Sequence, residues 1–146
     1  VSLSASALLL TVPSQTSFAA DPPKDSPQAE MTRNHKLKVK VTLKFKQEQL
    51  RLIFEDINAQ VVDVKVDGKK LTKIRFKPDT GVSFNTRYDI DVKDVPLDEA
   101  LDKLLKQADM GYIVIIGKKD EQDDGAIKIV KGDNRGYPTG VEPKKK

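Results

Sequence analysis

The sequence predicts an α+β domain: two strand–helix–strand units, with two helices packed against small mixed sheets. Three observations carry this expectation. Over residues 82–93 polar and apolar positions alternate, with Val82, Phe84, Thr86, Tyr88, Ile90 and Val92 on one side. A period of two marks a strand with one dry face. The period then changes, and Leu97, Ala100, Leu101, Leu104, Leu105 and Ala108 form one apolar stripe of a helix. Finally, a shift of 47 residues lays the first half of the body on the second. Val41, Leu43 and Phe45 fall on Tyr88, Ile90 and Val92, Leu50, Ile53, Phe54 and Ile57 on Leu97, Ala100, Leu101 and Leu104, and Gln60 on Gln107. Each helix has one apolar stripe to bury, so the two are expected to share one core.

The chain divides into four segments. Residues 1–19 read as a signal peptide: residues 3–12 are apolar, and Ser17, Phe18 and Ala19 before Ala20 satisfy the small-x-small cleavage rule. The basic segment expected ahead of that run is missing, as in a truncated precursor. The mature chain is expected to begin at or near Ala20. The apolar run is too short to span a bilayer as a mature helix, so no transmembrane span is expected. Residues 20–35 are polar, contain prolines and lack an apolar period, which predicts a flexible linker. Residues 36–132 form the domain. Residues 133–146 carry glycine, proline and three terminal lysines, and are expected to be a disordered basic tail; deletion of residues 131–146 is expected to leave the fold intact.

Within the domain, residues 36–46 alternate Leu37, Val39, Val41, Leu43 and Phe45 with lysines and Thr42, a strand with one basic face. Leu50, Ile53, Phe54, Ile57 and Val61 follow at helical spacing. Val62, Val64 and Val66 alternate before the turn pair Asp67-Gly68. Ile74 and Phe76 make a short strand, and residues 78–81 a turn. After the long strand, Pro96 suits a first helical turn. Asp98 and Glu99 lie at the positive end of the helix dipole, and Lys103 and Lys106 toward the other end. Residues 112–116 and 126–130 read as the two strands of a hairpin. Between the stripe ending at Ala108 and Tyr112, either Asp109 or Gly111 must take the positive φ that stops the helix.

The run DVKDVPLDEALDKLLKQADMGYIVI, residues 91–115, resembles the short N-terminal domain shared by bacterial secretins and TonB-dependent receptors. The likeness is good over residues 90–115 and looser back to about Val39. It rests on an alternating strand, then V-P-L-x-E-A-L-x-x-L-L, a short break and Y-x-V-I. Family members commonly have Gly at the position of Asp109. These are packing residues, so the resemblance implies a fold more than a chemistry. It also implies a periplasmic or envelope location and protein–protein docking or self-association in a larger machine. The 146 residues include no pore segment or receptor barrel, so a docking piece is expected rather than a channel.

Composition narrows the chemistry. With no cysteine there is no disulfide, thiolate site or cysteine nucleophile. The single histidine, His35, cannot build a histidine-rich metal site and reads as a solvated side chain. No serine–histidine arrangement or phosphate-binding glycine loop is present. The acidic loop at residues 120–125 does not match calcium-ligand spacing and reads as a solvated turn. The sequence therefore predicts a non-enzymatic module with neither cofactor nor metal. The remaining surface feature is the row Lys36, Lys38, Lys40, Lys44 and Lys46. It is a candidate contact for an anionic envelope polymer or lipid headgroup, the alternative to protein docking. Nucleic acid is disfavoured because no exposed aromatic platform accompanies the lysines. The plainer reading is a solvated or edge-protecting face, with Asp89 and Asp91 of a neighbouring strand pairing some of the lysines. Charge is uneven along the body: residues 36–77 are basic overall and residues 78–132 acidic. That imbalance would suit head-to-tail stacking or neutralisation within one fold.

Overall fold

The computed structural model describes residues 24–118 and 121–138. The architecture is α+β, with three α-helices and small sheets among the described residues. Two long strands, β1 (Lys40–Gln49) and β5 (Arg87–Pro96), pair antiparallel as a two-stranded ribbon. Each runs directly into a helix, α2 (Leu50–Val61) and α3 (Leu97–Lys106). A short hairpin joins β2 (Lys65–Val66) to β3 (Lys69–Lys70). Asp67 and Gly68 turn it with φ of 51° and 79°, the double left-handed geometry of a two-residue hairpin loop. The second sheet has the order β4 (Phe76–Pro78), β7 (Ile127–Lys131), β6 (Met110–Val114) and β8 (Arg135–Gly136). It is mixed: β6 and β7 are antiparallel, whereas β4 joins β7 and β8 joins β6 in parallel.

One hydrophobic core runs through both units. Leu50, Ile53, Ile57 and Val61 of α2 are fully buried, as are Leu97, Ala100, Leu101 and Leu105 of α3. They meet Val41 and Leu43 from the ribbon and Ile127 and Ile129 from the second sheet. Phe54 stacks on Phe76 with ring centroids 3.9 Å apart and meets Phe84 edge-on at 5.1 Å. The stripes predicted for both helices are the faces they bury, except that Ala108 lies beyond α3 and is exposed.

Four expectations need correction. The predicted linker contains helix α1 (Pro27–Asn34). The Ser26 hydroxyl accepts from the Ala29 amide and Pro27 opens the first turn, a cap signal the sequence does carry. What holds the helix down is a contact remote in sequence: the buried Thr32 hydroxyl donates to the Gly125 carbonyl at 2.7 Å. Second, residues 36–38 form a 3-10 turn rather than the start of the first strand. Third, the second strand begins at Arg87 rather than Val82. The carbonyls of Phe84 and Thr86 accept from the Arg51 and Leu50 amides; these residues cap α2, and their backbone groups are spent there.

Fourth, the tail does not begin at residue 133. Arg135 donates through Nε to Asp102 of α3 at 2.6 Å and through Nη1 to the Met110 carbonyl. Arg33 of α1 donates to the Gly136 carbonyl, and its guanidinium lies 4.0 Å from the Tyr137 ring centroid. Removing residues 131–146 would take away β8 and the end of β7, so the deletion is expected to disturb the fold. These ties join polar groups far apart in the chain and leave no periodicity to read. The signal segment, residues 20–23 of the linker and residues 139–146 of the tail lie outside the described residues.

Candidate functional site

The β1–β5 ribbon has one buried and one exposed face, and the exposed face carries the predicted basic residues. Its register has a centre where Lys44 faces Asp91. Leu43 opposite Val92 lies to one side, and Phe45 opposite Ile90 to the other. The strand ends mirror one another too: Lys40 faces Pro96, and Gln49 faces Arg87. Each strand bulges once. The bulged residues Gln47 and Asp94 sit at φ 52° and 53°. The Gln47 amide donates to the Asp89 carboxylate at 2.7 Å, and the Asp94 amide to the Thr42 hydroxyl at 3.0 Å. A bulge strands a backbone N–H outside the ladder, and here a side chain of the opposite strand receives it.

Among the described residues neither outer edge of the ribbon has a third strand. Part of each edge is closed by a glutamine from the following helix. Gln60 of α2 takes the place of a neighbouring peptide at Thr42: its Nε2 donates to the Thr42 carbonyl and its Oε1 accepts from the Thr42 amide, both at 2.9 Å. Gln107, just past α3, donates to the Asp89 carbonyl at 2.7 Å. The sequence showed the match of Gln60 to Gln107, but not the edge that both cover.

The five predicted lysines do not form one row. Lys36 is buried at 5% exposure, and its Nζ donates to Thr72 Oγ1 at 2.8 Å and to the Lys73 carbonyl at 3.4 Å. Burial pushes its ammonium pKa down. Lys38 is exposed but paired at 2.8 Å with Asp98 of α3. Only Lys40, Lys44 and Lys46 remain on the outward face of the ribbon, interleaved with Asp89 and Asp91. The 3-10 turn breaks the alternation, so Lys36 enters the interior while Lys40 does not.

Lys36 lines a polar cleft of about 360 Å³ between α1, residues 72–75 and the loop at residues 121–126. In that loop Asp123 pairs with Lys77, which holds its carboxyl below the usual range. Asp124 bonds the Ser26 hydroxyl and accepts from the Gly117 amide. Both aspartates serve the fold, and among the described residues no cluster of three or more metal-ligating side chains occurs. His35 is exposed at the end of α1.

The predicted choice at the end of α3 falls to Asp109, at φ 52°. Gly111 lies inside β6, where an added Cβ would sit 2.4 Å from the Asn134 carbonyl oxygen. Among the described residues no helix is long and apolar enough to cross a membrane. No protein-family model, curated protein or solved structure matches the chain.

Proposed function

We propose that this chain is a non-enzymatic interaction or assembly module of the bacterial cell envelope, docking to a protein partner along the β1–β5 ribbon. The observation that carries the reading is the ribbon itself: two ten-residue strands that, among the described residues, pair only with each other. An exposed strand edge offers a row of backbone donors and acceptors to an extended segment, and side chains alternating beside it confer selectivity. Gln60 and Gln107 close one peptide on each edge, which leaves the centre around Lys44 and Asp91 as the open stretch. The sequence resemblance of residues 90–115 to the secretin and TonB short N-terminal domain supports the same reading and the periplasmic setting. The anionic-polymer alternative is weaker, because Lys36 is buried and Lys38 is paired on the surface with Asp98.

The test is a photo-crosslinking side chain placed at Lys44 in the mature chain and irradiated in envelope extract. A cross-link to a protein that persists at high salt is the expected result. A cross-link only to anionic polymer or lipid, lost as salt rises, would replace this reading, because counterion screening weakens such contacts steeply.

A further inference from the structure

The cleft beneath α1 carries a second and independent inference. We propose that it is a binding site for a small, freely diffusing oxyanion, a carboxylate or phosphate seated on the Lys36 ammonium. Burying the lysine is costly. A cation withdrawn from water needs a counter-charge or a full set of acceptors. Among the described residues Lys36 has no carboxylate within ion-pair distance, and its two acceptors are both neutral, Thr72 Oγ1 and the Lys73 carbonyl. An ammonium has three donors. Among the described residues the third has no acceptor, and an anion in the cleft that Lys36 lines would take it and supply the missing charge.

The cleft has the size and rigidity of a small-molecule site. Its volume, about 360 Å³, falls at the small end of the range for small-molecule sites, roughly 300–1,000 Å³. Its walls are locked together before any ligand arrives. Thr32 donates to the Gly125 carbonyl, and Ser26 bonds Asp124. A Cβ at Gly125 would lie 2.7 Å from the Gln28 carbonyl oxygen, so the loop presses directly on α1. The rim of the cleft is polar. Lys73 adds positive charge beside Arg75, which pairs with Asp123 and donates to the Gln122 carbonyl, and Gln28 and Gln122 add amides suited to a hydroxylated body. The two acidic residues of the lining are engaged elsewhere: Glu121 accepts from the Lys118 amide and Asp124 from the Gly117 amide.

The experiment is an NMR titration of the chain with inorganic phosphate and with acetate, using glycerol as the neutral control. Saturable shifts are expected at the Thr72, Lys73 and Gly125 amides, together with a rise in the Lys36 pKa, while Lys44 and Lys46 respond weakly and without saturation. Lys36→Met should abolish the saturable response, and Lys44→Met should preserve it. Shifts of equal size on all exposed lysines, or binding that survives Lys36→Met, would overturn the proposal. If Lys36→Met does not fold, the exposed Lys73→Gln variant and the Lys36 pKa in the unmodified chain decide. A Lys36 pKa that phosphate and acetate leave unchanged would overturn the proposal equally.

Discussion

In the β1–α2 unit the bulge places Gln47 at φ 52°, and in the β5–α3 unit it places Asp94 at φ 53°. The two units follow one backbone plan, with β1 and β5 beginning at residues 40 and 87, and α2 and α3 at 50 and 97. In each, the first helical amide is capped by a carbonyl from the approach to the other strand: Leu50 by Thr86 and Leu97 by Val39. They differ in their finishing. Asp tolerates the left-handed region better than Gln, yet the more strained residue has the stronger acceptor, a carboxylate in place of a hydroxyl. Helix α3 has acidic residues in its first turn and basic ones in its last, whereas α2 has neither. Helix α2 ends in the ordinary helical region at Val62, whereas the chain leaving α3 turns through Asp109 at positive φ. The shared plan rests on the buried face that both helices present, and the differences lie on surfaces where many residues suffice.

The largest test of that comparison is truncation in the shared core. Phe54→Ala and Leu101→Ala remove residues at 4% and 0% exposure, and each is expected to cost about 2–5 kcal/mol. Urea denaturation should show one cooperative transition at a lowered midpoint in both variants. A loss confined to one unit's transition would mean that the units do not share a core.

The next effect is at the exit from α3. Gly111→Ala drives a methyl group into the Asn134 backbone and should cost about 1–3 kcal/mol as β8 is pushed off β6. Asp109→Gly should act oppositely, raising stability by about 1 kcal/mol through relief of the positive φ and of a carboxylate at the negative end of the helix dipole. A destabilised Asp109→Gly protein would show that the Asp109 side chain contributes more than its backbone strain costs.

The bulges give a finer contrast. Gln47→Gly should stabilise by ~0.5–1 kcal/mol, more than Asp94→Gly does, because Gln has more strain to relieve. Equal shifts in melting temperature for the two variants would remove the distinction drawn between them.

The smallest effect is an acid dependence. Asp102 of α3 bonds Arg135, which with Lys106 holds its carboxyl below the usual carboxylate range. A carboxyl whose pKa is lowered on folding adds stability above its unfolded value, near 3.9, and loses it as pH falls through the folded value. The corresponding residue of α2, Glu55, has only an exposed pair with Arg51 at 3.9 Å, of little expected worth. Arg135→Ala should therefore flatten the stability profile below about pH 4, and Arg51→Ala should leave it unchanged. Identical profiles for the two variants would break the contrast.

Helices α2 and α3 were legible, unlike α1, because burying a stripe leaves a trace in every turn: Ile53, Phe54 and Ile57, like Leu101, Leu104 and Leu105, recur at the spacing of the α-helix and face the core. The hairpin turn at Asp67 and Gly68 was legible because few residues suit positive φ, whereas at the end of α3 the same preference left both Asp109 and Gly111 open until the structure placed Asp109 there. The candidate site was less so. Lysines at alternate positions look alike in sequence, and only the 3-10 turn separates Lys36 from Lys40.

By itself the sequence determined the α+β class and the two apolar helix stripes of this chain. These follow from local periodicity acting on neighbours three or four residues apart. The tertiary structure alone decided that Thr32 pins α1 to Gly125, that Arg135 joins Asp102, that Gln60 and Gln107 cover the ribbon edges, and that Lys36 is buried beneath α1. Each depends on one or two polar contacts between residues distant in the chain or on a neighbouring backbone. Such a contact needs one partner in one place, and so it imposes no repeating pattern on the residues around it.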